Sequence, residues 1–175
     1  MDELLRQITA ALDNRLYFIA LQATLTLPAI CAELESDAGA KRKRGLDGIK
    51  YRKWYNENVF PKHLTAKECY DFRCSLLHDG SSFRGEDKKG SMRRILFVYP
   101  NPMLRMDNVK FCNMGNADNA TCIDIHNFCH DMMNSVKIWN DKVKDSPNYQ
   151  KNYDKFFKLH INGIPPYVVG MPVIG

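Results

Sequence analysis

Apolar residues recur every three or four positions along the first third of the chain, at Leu4, Leu5, Ile8, Leu12, Leu16, Ile19 and Ala20. That spacing places one continuous stripe on a helix and predicts helical structure over residues 3–36. Pro28 lies inside the stretch. A proline removes a backbone donor and clashes with the preceding turn, so a kink or a fresh helix start is expected near it. Residues 37–48 lose the periodicity and collect Asp37, Gly39, Gly45, Gly48 and the tetrad Lys41-Arg42-Lys43-Arg44, the composition of a loop. The helical pattern resumes at Ile49, Trp54, Tyr55 and Val59 and should close at Pro61. Thr65 followed three positions later by Glu68 is a capping-box signature. The helix it opens carries Cys69, Tyr70, Phe72, Leu76 and Leu77 and should stop at Gly80.

Beyond residue 90 the period shortens to two. Arg94–Tyr99, Val109–Cys112 and Thr121–Ile125 read as short strands, giving a small antiparallel insertion over about 91–125. Helical spacing returns through Phe128, Met132, Val136 and Trp139 over residues 127–143, and an amphipathic stretch follows from Tyr149 to Leu159. Residues 161–175, with Gly163-Ile164-Pro165-Pro166-Tyr167, form an apolar, proline-rich segment expected to lie as an extended arm on the bundle. The reading is one mainly α domain over 1–175: a bundle of about five helices with a small antiparallel β insertion. A chain of 175 residues is long enough for one well-buried core.

Charge changes the picture by its distribution. The net charge is +5, yet residues 41–94 hold 15 Lys or Arg against 7 Asp or Glu, leaving the remainder slightly acidic. A positive field concentrated on one segment attracts a polyanion, and RNA is the expected partner. Lys41, Arg42, Lys43, Arg44, Arg52 and Lys53 are the candidate RNA-binding residues. No basic n-region precedes an apolar stretch at Met1-Asp2-Glu3, and no uninterrupted apolar run approaches the length a bilayer needs; the expectation is a cytoplasmic protein without a membrane segment. Six cysteines without a secretory signal read as reduced thiols, with Cys31, Cys69 and Cys74 in the core. His126, Cys129 and His130 share helical i, i+3, i+4 spacing, but no second ligand pair accompanies them, so they read as a packed helix face and no metal or other cofactor is expected.

The sharpest chemistry is Arg73-Cys74-Ser75-Leu76-Leu77-His78 at the end of the capped helix. A histidine exchanges protons near neutral pH, and a guanidinium stays charged and grips two phosphate oxygens. RNA already carries its nucleophile, the 2′-hydroxyl, so a base, a cation and positioning suffice for cleavage to a 2′,3′-cyclic phosphate. Five residues of helix set the two side chains roughly 140° apart around the axis and about 7.5 Å apart along it. They share no face, and a tight site would form where two copies of the helix meet across a symmetry axis.

The stretch Tyr70-Asp71-Phe72-Arg73-Cys74-Ser75-Leu76-Leu77-His78-Asp79-Gly80 resembles the Arg-x4–6-His motif of the HEPN superfamily. The resemblance implies a helical, commonly dimeric, metal-independent endoribonuclease of a phage-defence or toxin-type system, with Arg73 and His78 catalytic and a possible antitoxin or regulatory protein as partner. A non-catalytic HEPN-like adaptor that binds nucleotide or protein is the alternative. Cys74 stands where active members usually carry a polar residue, and Gly80 replaces the tyrosine common in the toxin branch.

Overall fold

The computed structural model describes residues 1–37, 45–81, 93–103, 106–112 and 119–175. The tetrad Lys41-Arg42-Lys43-Arg44 lies outside the described residues. Helix α1 spans Asp2–Asp13 and buries Leu5, Ile8, Ala11 and Leu12; Asp2 and Glu3 set negative charge against its positive end. The chain breaks at Asn14–Leu16, where Arg15 adopts φ 57° and the Asn14 side chain donates to the Ala10 carbonyl at 2.8 Å. Helix α2, Tyr17–Glu35, then continues through Pro28. The start of a new helix therefore falls before α2 and not at the proline. The break also resets the helical phase: Leu16 and Ile19, which the spacing puts on one stripe with Leu5 and Ile8, are 55% and 56% exposed.

Helix α2 is apolar on every side because it is the central helix, touched by α1, α3, α4, α5 and α6. Packing from all directions outweighs the roughly 3 kcal/mol that an internal proline costs a helix. It is long and apolar enough to cross a bilayer by length and composition, and half of it is buried inside the fold. Helix α3, Leu46–Asn58, starts after Gly45 in the left-handed region and buries Tyr51, Trp54 and Tyr55. The Tyr51 hydroxyl donates to the Leu25 carbonyl at 3.1 Å and that of Tyr55 to the Leu64 carbonyl at 2.9 Å, tying α3 to its neighbours.

Helix α4, Ala66–Asp79, follows the expected signals closely. Thr65 Oγ1 accepts the Glu68 amide, the Glu68 carboxylate accepts the Thr65 amide, and Gly80 ends the helix at φ 63°. Strands β1 (Arg93–Val98), β2 (Val109–Phe111) and β3 (Asn119–Asp124) form one sheet in the order β1-β3-β2. Only part of it is antiparallel as expected: β2 opposes β3, but β1 runs parallel to it, with Leu96 beside Cys122. Burial explains the order, since Ala120 to Ile123 of β3 are all buried and take the middle. Asp124 then caps α5, Ile125–Val143, by accepting the Asn127 amide.

The last helix, α6, covers only Pro147–Tyr153. Instead of one extended arm, the tail folds on itself in two antiparallel ladders: β4 (Leu159–His160) with β7 (Val173–Ile174), and β5 (Gly163–Ile164) with β6 (Val168–Val169). Gly163 has φ 86°, and a β-carbon there would lie 2.2 Å from the Val168 carbonyl oxygen, so only glycine fits. The architecture is mainly α with a small β part, and one hydrophobic cluster joins the helices to Ile95 and Ile123 of the sheet.

Candidate functional site

Helix α4 carries both candidate catalytic residues, and the fold treats them differently. His78 is exposed in the last turn, next to Leu77, itself 38% exposed. Arg73 is half-buried, its Nε shielded from water without a hydrogen-bond partner and its Nη1 4.0 Å from Cys74 Sγ. The two therefore face different environments, in keeping with their separation around one helix. Cys74 is buried, so the residue after the arginine turns into the protein and leaves the solvent side to Arg73.

The candidate RNA-binding residues on α3 diverge. Arg52 turns toward α4, with Cζ 5.4 Å from the centroid of the Tyr70 ring. Lys53 turns toward α2 instead and, with Lys50, Glu35, Glu57 and Trp54, lines a cavity of about 280 Å³. Lys50 is paired with Glu33 at 2.9 Å, which reduces the net charge there. The structure thus brings Arg52 to the Arg73 side of the molecule and takes Lys53 away. Tyr70 shares the site without having been singled out as functional. Burial raises its hydroxyl pKa, the neighbouring Cys74 thiol adds to the rise, and the charges of Arg73 and Arg52 oppose it.

The trio expected as a helix face splits in two. His126 and His130 are half-buried, their rings tilted by 44° with centroids 4.7 Å apart, whereas Cys129 is fully buried and its thiol is pushed up to about 11 by burial. His130 is shifted toward the neutral form, first by burial and then by the charge of His126. A protonated, inward thiol is no partner for those imidazoles, and among the described residues no group of three His, Cys, Asp or Glu suits a metal ion.

One cluster has no counterpart in the sequence reading. His63, whose side chain is 5% exposed, places Nε2 2.7 Å from Asp131 Oδ2 and Nδ1 3.5 Å from Asp107 Oδ1. Asn108 Nδ2 lies 3.2 Å from the same Nδ1. Asp107 also accepts the Asp124 amide and the Asn127 side-chain amide. The knot joins the segment entering α4 to the β2 edge and to α5, so it holds the base of the helix that carries Arg73 and His78. No local signal marks it, because its members are scattered over 69 residues of sequence, from His63 to Asp131. Removing the imidazole takes the 2.7 Å partner from the partly buried Asp131 carboxylate, while Asp107 keeps the Asp124 and Asn127 amides, so His63→Ala should lower the unfolding free energy by about 1–3 kcal/mol. Urea unfolding measures the loss, and a His63→Ala transition superimposable on wild type would remove the knot from the energetics of the fold. Comparison with protein-family models, curated proteins and solved structures finds no match for this chain.

Proposed function

We propose that this protein is a metal-independent endoribonuclease in which His78 and Arg73 act on one phosphodiester. The observation that supports the reading best is the makeup of α4: an exposed imidazole in its last turn and, five residues earlier, a guanidinium that no carboxylate neutralises among the described residues. His78 takes the proton of the 2′-hydroxyl, the 2′-oxygen bonds to phosphorus, and the bond to the 5′-oxygen breaks as that oxygen is protonated by water. Arg73 offers its charge to the phosphoryl oxygens as negative charge builds on them. The products are a 2′,3′-cyclic phosphate and a 5′-hydroxyl end. All six cysteines are unpaired, which fits a reducing cytoplasm, and the resemblance of the motif points to a defence or toxin-type role restrained by an antitoxin or regulatory protein.

The test is labelled RNA incubated with the protein in excess EDTA, with products resolved by mass. Expected are fragments ending in cyclic phosphate, lost in His78→Ala and in Arg73→Ala. Cleavage that EDTA abolishes would overturn the mechanism. A second reading rests on the shielded Nε of Arg73: a non-catalytic adaptor that binds nucleotide or protein through this face gives binding and no fragments.

A further inference from the structure

Arg73 is not the only guanidinium at this end of the bundle. Arg52 reaches across from α3 and lies over the ring of Tyr70, which precedes Arg73 by one helical turn. A guanidinium stacked on an aromatic face keeps its in-plane N–H groups free to donate. On α4, Asp71 pairs with Lys67 at 2.7 Å. Elsewhere on the surface Arg6, Lys50 and Lys144 each have a carboxylate within 3.1 Å. Among the described residues Arg52 and Arg73 have none. Arg52 over the Tyr70 ring and Arg73 three residues further along α4 place two positive charges around one side chain, and like charges favour an anion between them.

The arrangement is built from beneath. Gly48 lies four residues before Arg52, on the same face of α3. A β-carbon there would sit 2.8 Å from Tyr70 Cζ and 2.9 Å from its hydroxyl oxygen. Glycine weakens a helix interior relative to alanine, so its presence inside α3 has a packing cause: it is the seat of the Tyr70 ring. Tyr51 also packs on that ring, tilted by 60° with centroids 5.2 Å apart. Tyr70 is thus wedged between α3 and α4, with the Arg52 guanidinium over its ring.

We infer that Arg52, Tyr70 and Arg73 form a phosphate-binding subsite within a single protomer, seating a backbone phosphate of the RNA strand, with Gly48 as its positioning residue. The inference rests on the ribonuclease reading for its substrate class and on the geometry above for its members. Arg52 supplies the fork from α3, Arg73 the charge from α4, and Tyr70 holds the two at one spot. The subsite does not require a second copy of the chain, unlike the pairing of Arg73 with His78.

The probe is a fluorescein-labelled 2′-O-methyl oligoribonucleotide, which cannot be cleaved, titrated into the full chain by anisotropy at several salt concentrations. Arg52→Ala should weaken binding about tenfold or more, the scale of a lost charge-assisted contact, and lower the salt slope by about one. Arg52→Lys keeps the charge without the fork and should recover only part of the loss. Gly48→Ala should weaken binding, because its β-carbon would lie 2.8 Å from Tyr70 Cζ and push the ring, and Arg52 with it, out of place; the titration is run below the variant's own melting transition, so that loss of fold does not pass for loss of the subsite. Binding unchanged in both Arg52→Ala and Gly48→Ala would overturn the subsite, even if RNA cleavage depends on Arg73 and His78. Wild type that binds the oligonucleotide through Arg52 but never cleaves unmodified RNA would uphold the subsite and sink the nuclease reading. The two failures are therefore distinguishable.

Discussion

Mixing inactive Arg73→Ala protein with inactive His78→Ala protein should restore ribonuclease activity to about one quarter of wild type. The expectation follows from helix geometry combined with two-fold symmetry. Arg73 and His78 stand on different sides of α4, so the proposed site pairs the arginine of one copy with the histidine of another. Each variant alone should lose roughly 100-fold or more, the usual scale for removing a general base or a charge-stabilising donor. After subunit exchange, half of the dimers carry one variant of each kind. In such a dimer one site has lost both residues and the other has lost neither, so half the dimers run on one of two sites. If both residues acted within a single protomer, every site would keep one defect and the mixture would stay at background. A chain that sediments as a monomer at assay concentration, yet cleaves RNA, would likewise exclude the shared site.

The features legible in the sequence are those set by neighbours within a turn or two. Helix α4 could be drawn from Thr65, Glu68 and Gly80 because capping is local chemistry, and the structure shows each of those bonds. Pro28 starts no new helix for the opposite reason: a local breaker is outweighed by packing from five surrounding helices. The true break at Asn14–Leu16 has neither proline nor glycine to announce it. Gly48 resembled loop composition when read with Gly45, and its role rests on Tyr70, 22 positions further on. A count of basic residues could mark Arg52 and Lys53 together, but neighbours on a helix point about 100° apart, and the two serve different sides of α3. The parallel pairing of β1 with β3 depends on which strand the core buries most deeply, which no stretch of alternating residues records.

Trp139→Ala should be among the most destabilising single substitutions in the chain, removing about 3–5 kcal/mol of unfolding free energy. Trp139 is 2% exposed and sits where four helices meet. Its ring meets Trp54 of α3 edge-on at 5.6 Å and Tyr149 of α6 at 5.9 Å, and its Nε1 donates to Glu35 of α2 at 3.0 Å. Two effects are lost together, and their sizes decide which dominates. Glu35 is exposed, so water replaces the indole N–H at a net cost near 1 kcal/mol, whereas the emptied volume between helices cannot be refilled. Trp139→Phe, which keeps most of the volume without the donor, should therefore recover more than half of the loss. Equal destabilisation by Phe and Ala in denaturant titrations would show that the hydrogen bond governs and that the packing argument is wrong. At about 2–4 °C per kcal/mol for a chain of this size, the alanine variant should melt roughly 10 °C lower. Because the ring and hydrogen-bond partners of Trp139 lie on α2, α3 and α6 and not on α4, activity per folded molecule in the cold should match wild type, which separates loss of fold from loss of chemistry.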